Sequence, residues 1–347
     1  MKCTVERYIL IAMQIHPRNG DVPMKLMTVL LCLVAALLVL ALLIAYICFR
    51  IVFYASRRKE NHEEIRIPEG EIYQPYKDIM VDWIKRMRAM PQEDFAITSF
   101  DGLTLRGKYF EYEPGAPIEL MFHGYRGTAE RDMCGGIFRC FSIGRSALLV
   151  DQRGSGYSDG HVVSFGINES RDCLRWVDFL VGHFGPDVKM ILTGLSMGAA
   201  TVLTAAGQPL PENVVGVLAD CGFTSAREII YEVMKKLHLP PKVLYPFVRL
   251  GAWLYGGFDL EERSPIAAME HCRVPVIFYH GDDDQYVPLW MSMKNYEACK
   301  SPKKLVITPG AGHGLCFVRD QEGYLRELKA FCQEQGMAFM DNGTSML

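Results

Sequence analysis

Residues 26 to 49, LMTVLLCLVAALLVLALLIAYICF, run 24 positions without a charged side chain. Wound as an α-helix at 1.5 Å per residue, the stretch is roughly 36 Å long, enough to cross the ~30 Å hydrocarbon core of a bilayer. Fifteen of the 24 are Leu, Ile, Val or Phe, each favouring insertion by about 0.3 to 0.6 kcal/mol. A core helix of a soluble protein would be shorter and show a polar face. A cleaved signal peptide would have an apolar region about half as long, ending in small residues; here CFRIVFYASRRK follows. The expected organisation is an amino-terminal tail over 1–25, a transmembrane helix over 26–54, a juxtamembrane connector and helix over 55–90, and one domain over 91–347.

Orientation follows the basic residues beside the span. Arg50, Arg57, Arg58, Lys59 and Arg66 lie on the carboxyl side, against Arg18 and Lys25 on the amino side. A single-pass membrane protein with its large domain in the cytoplasm is therefore expected. Eleven cysteines without a C-x-x-C pair agree with a reducing compartment. Two sequons, at Asn168 and Asn342, point the other way, but Asn168 sits where a helix is expected to begin. A net charge of −3 and no like-charge run longer than RRK exclude a nucleic-acid partner.

After the connector, YKDIMVDWIKRMRAM (76–90) places Ile79, Trp83, Met87 and Met90 at helical spacing, predicting a packing helix. FAITSFDGLTLRGKYFEY (95–112) holds two β-rich runs around Asp101-Gly102, which predicts a hairpin. From there apolar strands alternate with helices: IELMFHG, RSALLVDQRG, VKMILTG, VVGVLADCG, VPVIFYHG and KKLVITPG read as strands. That alternation describes a mostly parallel sheet covered on both faces. The interval 224–262 breaks the rhythm. Ser225 with Glu228 reads as a capping box, Pro240-Pro241 as the end of that helix, and a second apolar helix follows. Such an insertion above the carboxyl edge of a sheet is expected to form a small helical lid. Its Tyr245, Phe247, Trp253, Tyr255 and Phe258 fit lid lining and ordinary core equally well.

G-x-S-x-G occurs twice, around Ser196 in MILTGLSMGAATVL and around Ser158 in GYSDG. A serine nucleophile needs a strand before it, a helix after it and small residues where the two crowd together. Ser196 meets all three conditions; Ser158 leads into HVVSFG, which is no helix start. Serine also needs a base, and the base a carboxylate. His313, in PGAGHGLCF after the last predicted strand, lies at the same sheet edge as Ser196, whereas His123 and His280 precede glycines at strand ends and read as turn-shaping. Asp284, deepest in HGDDDQYVP, is the expected acid, with Asp220 the alternative; the aspartate run lacks the alternating ligands of a calcium loop. The oxyanion donors are expected to be the backbone N–H groups of Met197, after the nucleophile, and Tyr125, in HGYRG. RGSGYSDG is not a dinucleotide fingerprint, because Asp159 takes the last glycine position and no helix opens there.

Together these residues resemble the α/β-hydrolase superfamily from about 95 to 335. The order Ser196, Asp284, His313 is that family's order, and HGYRG, DQRGSGYSDG, GLSMG, DxxVP at 284–288 and GAGH at 310–313 fall where it has them. The look is that of the serine aminopeptidase-like branch, with relatives acting on monoacylglycerols and lysophospholipids. The resemblance implies an α/β-hydrolase fold and neither metal nor organic cofactor. The expectation is a membrane-anchored serine hydrolase cleaving carboxylic esters, including acyl-lipid esters, through an acyl-enzyme on Ser196. The alternatives are an aminopeptidase-like amide hydrolase and a non-catalytic hydrolase-fold protein binding a ligand at the membrane, though the last should have lost a member of the triad.

Overall fold

The computed structural model describes residues 24–55 and 64–337; Arg18, the basic run Arg57 to Lys59 and the sequon at Asn342 lie outside them. Helix α1 (Met24–Val52) takes up the apolar stretch and is long and apolar enough to cross a membrane. Residues 26–40 are exposed on every side. Further along, a buried stripe at four-residue spacing, Ala45, Phe49 and Phe53, faces the rest of the protein.

Eight strands form one sheet in the order β1-β2-β4-β3-β5-β6-β7-β8. β1 (Glu93–Thr98) and β2 (Thr104–Phe110) pair antiparallel around Gly102, whose φ of 91° supplies the left-handed turn residue anticipated at Asp101-Gly102. β2 is also antiparallel to β4 (Ser146–Asp151). β3 (Ile118–Phe122), β5 (Met190–Leu195), β6 (Val214–Asp220), β7 (Val276–Gly281) and β8 (Lys303–Thr308) continue the sheet in parallel. β3, β4 and β7 are buried at every position, which explains their largely apolar reading; Glu119 within β3 is paired with Arg139 and Arg145.

Helices cover both faces. The connector helix α2 (Lys77–Ala89) buries Met80, Trp83, Ile84 and Met87, with Trp83 stacked between Phe138 and Phe317. The stripe is turned slightly from the expected one, leaving Ile79 and Met90 half-buried. Helix α3 (Ala129–Phe141) was not anticipated from the sequence, because Gly135-Gly136 interrupts it. Packing explains the first glycine: a Cβ on Gly135 would come within 2.6 Å of the Trp83 ring. α4 (Ile167–Phe184) and α5 (Met197–Ala206) lie between successive strands.

The 224–262 interval forms α6 (Ala226–Lys236), α7 (Pro241–Gly251) and a π-helical turn, Ala252–Gly256. The capping box is only half realised. Ser225 Oγ accepts from the Glu228 N–H at 3.1 Å, while the Glu228 carboxylate turns to the Thr224 hydroxyl and to Lys294. Tyr245 and Phe258 are buried in a cluster with Phe49 of α1 and Phe53 just after it, whereas Trp253 and Tyr255 are exposed. Four further helices follow: α8 (Pro265–Met269), α9 (Leu289–Ala298), the short α10 (Cys316–Arg319) and α11 (Gln321–Gln335).

Candidate active site

Ser196 occupies the turn between β5 and α5 with φ 55° and ψ −113°, a left-handed conformation rare for a residue with a side chain. Neighbouring backbone enforces it: a Cβ on Gly194 would collide with the Gly198 carbonyl, and one on Gly198 with the Phe122 carbonyl of β3. The G-x-S-x-G spacing is thus a steric requirement of strand, turn and helix converging. The Ser196 N–H donates to the Asp220 carbonyl at 2.8 Å, tying the turn to the end of β6.

His313 and Asp284 arrive from the loops after β8 and β7, at the same sheet edge. His313 Nε2 lies 2.9 Å from Ser196 Oγ, and His313 Nδ1 lies 2.7 Å from Asp284 Oδ2. A carboxylate only accepts, so Nδ1 carries the proton and the Nε2 lone pair faces the serine hydroxyl. Asp284 is held in place through its other oxygen, which accepts the Tyr286 and Val287 N–H groups at 2.8 and 2.9 Å. Burial opposes its ionisation, but the hydrogen bonds to His280 and His313 prevail and hold the carboxyl well below its ordinary range. His280, read as turn-shaping, packs its Nε2 3.4 Å from Asp284 Oδ2 and 2.9 Å from the Val287 carbonyl, with Nδ1 2.7 Å from Ser292 Oγ. Nothing in the sequence marked this second imidazole on the acid.

Tyr125 and Met197 flank the serine. No hydrogen bond among the described residues claims either backbone N–H. The loop carrying Tyr125 is braced from behind: Gly124 N–H donates to Asp132 at 3.0 Å, and His123 Nε2 accepts the Gln152 N–H at 3.0 Å. His123 Nδ1 lies 2.8 Å from the Gly124 carbonyl, so His123 shapes the turn. The wall beside Ser196 is apolar, with Met197, Phe223, Ile229 and Val287 buried and Trp290 part-buried.

The other candidates fall elsewhere. Ser158 is fully buried, its Oγ donating to the Asp151 carbonyl and accepting the Arg106 N–H, so it fixes a turn. Asn168 is buried at the start of α4 and accepts from Arg171 at 2.8 Å, which leaves no room for a glycan on the folded chain. Asp220 is buried with one carboxylate oxygen unpartnered, and burial raises its pKa to about 6, against which nearby His280 acts only partly. Ionised Asp220 is therefore disfavoured in the folded state; stability is greatest below about pH 4 in respect of this group and falls as pH rises to about 6. Asp220→Asn should stabilise the fold at pH 8 by up to about 3 kcal/mol, for two pKa units, and leave its stability nearly unchanged at pH 4; thermal melts at the two pH values check it. Cys221, Asp284 and His313 place one possible metal-ligand atom each within 4.8 Å of one another. Burial pushes the Cys221 thiol well above its ordinary range, and the carboxylate and imidazole are already bonded to each other, so the donor set suits a proton relay better than a cation.

One set of contacts at this site had no signal in the sequence. The Tyr125 hydroxyl donates to the Val52 carbonyl at 2.6 Å, and Arg126 Nη2 donates to the Ile51 and Tyr54 carbonyls at 2.7 and 3.0 Å. The end of α1 is thereby bonded to the loop beside the nucleophile.

An eight-stranded, mostly parallel sheet with these helices is the α/β-hydrolase fold, and the chain is a member of that superfamily. Residues 144–337 match the prolyl oligopeptidase family, and the chain belongs to it. It is 30% identical over 190 residues to the uncharacterized protein YqkD of Bacillus subtilis, covering 54% of this chain and 62% of that one, less than two thirds of the relative's length. It is 24% identical over 218 residues to the lysophosphatidylserine lipase ABHD12 of Danio rerio, covering 60% and 52% of the two chains. The esterase Pf2001 of Pyrococcus furiosus superposes with a TM-score of 0.59 at 21% identity, over 78% of this chain and 96% of that one. The acylaminoacyl peptidase of Pyrococcus horikoshii does so with a TM-score of 0.52 at 16% identity, over 73% and 43%.

Proposed function

We propose that this protein is a membrane-anchored serine hydrolase that cleaves carboxylic esters of acyl chains, with Ser196 as nucleophile, His313 as general base and then acid, and Asp284 orienting the imidazole. The observation that carries the reading is the continuous chain Ser196 Oγ, His313 Nε2, His313 Nδ1, Asp284 Oδ2, with both links at hydrogen-bonding distance. Attack on the ester carbonyl transfers the serine proton to Nε2, and the imidazolium that forms is stabilised by Asp284. The proton then goes to the departing alkoxide. The carbonyl oxygen, as it gains charge, is met by the N–H groups of Tyr125 and Met197. Water repeats the sequence to release the acid.

The apolar wall favours an acyl group over a charged one, the length and apolarity of α1 support a site beside lipid, and its basic flank supports a cytoplasmic domain. A second reading, amide hydrolysis, is favoured by the family to which the chain belongs. The full chain in detergent should be labelled by a fluorophosphonate probe and should turn over p-nitrophenyl esters faster than aminoacyl p-nitroanilides. Faster turnover of the anilides would replace the ester reading with the peptidase one, and absence of labelling would remove both.

A further inference from the structure

Helix α7 and the π-helical turn after it run antiparallel to α1, packed against its carboxyl-terminal half. The Tyr255 hydroxyl donates to the Leu42 carbonyl at 3.3 Å and its ring lies edge-on to Tyr46 at 5.2 Å. Gly251 sits so close to the α1 backbone that a Cβ there would run into the Ala45 carbonyl. Arg50 is the first charged residue after the uncharged stretch. Leu42 precedes it by eight positions, about 12 Å along the axis, within the ~15 Å half-thickness of a hydrocarbon core. If α1 spans the bilayer with Arg50 at its boundary, the turn bonded to Leu42 lies at acyl-chain depth.

The side chains there match that environment. Trp253 is 65% exposed and Leu254 46% exposed, large apolar groups that no other part of the described residues covers. The charges near this end of α7 are paired: Arg249 meets Asp259 at 3.1 Å and Glu261 at 2.9 Å, and Glu261 also meets Arg227 at 3.6 Å. Lys242 lies in the first turn at the opposite end of α7, roughly 16 Å away along its axis, and Lys236 closes α6 five residues before α7 begins, on the side where anionic head groups would lie.

We infer that the lid is itself a membrane-inserted element: the Trp253–Leu254 turn is immersed in the same leaflet as the carboxyl end of α1, and ester substrates reach Ser196 from that leaflet. This rests on the membrane-anchored reading and names its consequence for the substrate, an amphiphile whose acyl chain stays in lipid. A continuous apolar seam joins α1 to the site. Rings lead from the buried Phe53, just after α1, to Phe165 at 5.8 Å, and from Phe165 to Tyr125 at 5.2 Å and Phe223 at 6.2 Å, beside the nucleophile.

The test uses the full chain in vesicles of phosphatidylcholine and phosphatidylglycerol containing lipids brominated midway along the acyl chain. Of the four tryptophans, Trp83 and Trp176 are buried in the domain and Trp290 is part-buried beside the site, leaving Trp253 for the lipid. Quenching of the wild type and loss of most of that quenching in Trp253→Phe are expected; equal quenching of the two overturns the immersion. Carbonate washing reads the anchor separately. Retention with unquenched Trp253 defeats the lid inference alone, and release from the vesicles defeats the anchored reading with it. For delivery, Trp253→Glu combined with Leu254→Glu should lose turnover of a long-chain ester held in the vesicles while retaining that of a soluble p-nitrophenyl butyrate. Equal effects on the two esters overturn the route through the leaflet.

Discussion

Replacing Ser196 by alanine should lower kcat/KM toward p-nitrophenyl esters by about 10⁴ to 10⁶-fold, with no loss of folded protein. The size follows from what is removed: without Oγ no acyl-enzyme forms, and only the N–H donors and the binding wall remain to assist water. The fold should tolerate the change, because the elbow is set by the glycines on either side of Ser196 and by the bond from its own N–H to Asp220. Steady-state rates, thermal melts and fluorophosphonate labelling of the two proteins check it together. Retention of more than a tenth of the rate in a folded Ser196→Ala protein would place the nucleophile elsewhere.

Asp284→Asn should cost about 10⁴-fold in kcat. The asparagine fits the same space, and its oxygen can still accept the Tyr286 and Val287 N–H groups that now hold Asp284 Oδ1. Its amide group, presented to His313, would be a donor where an acceptor is required. The imidazole would then turn its lone pair from Nε2 to Nδ1 and lose its capacity to take the serine proton. Asp220→Asn, by contrast, should stay within about tenfold of wild type, because Asp220 touches the site through its backbone carbonyl and not through its carboxylate. Measuring kcat for both variants separates the two aspartates, and the reverse ranking would exchange their roles.

Strands, sheet class and the convergence of three side chains were legible in the sequence because each rests on local chemistry. Apolar runs of strand length bounded by glycine mark β3 to β8, and two glycines at fixed distance from Ser196 mark the elbow. Helix α3 was not legible, since Gly135 answers to the ring of Trp83, some fifty positions earlier, and propensity carries no such information. His280 was half legible: its place before a glycine pointed to a turn, which it shapes, but its approach to Asp284 depends on how the β7 loop folds back. Least visible was the attachment of α1. Tyr125 and Arg126 reach carbonyl groups of a helix more than seventy positions away, and backbone acceptors leave no trace in side-chain pattern. The stripe Ala45, Phe49, Phe53 was in principle readable, yet a span apolar on all sides hides which of its faces meets protein.

If α1 spans a membrane, as proposed above, that seam changes the dimensionality of the encounter. An enzyme on a slack leash would sweep a volume above its membrane and meet lipid at every angle, whereas a domain clamped to its own anchor keeps one elevation and one heading. Its search is planar. For such a hydrolase the governing quantity is how crowded the substrate is within the sheet of lipid, and diluting that sheet with inert lipid would slow it even when the total amount of ester in the tube is unchanged.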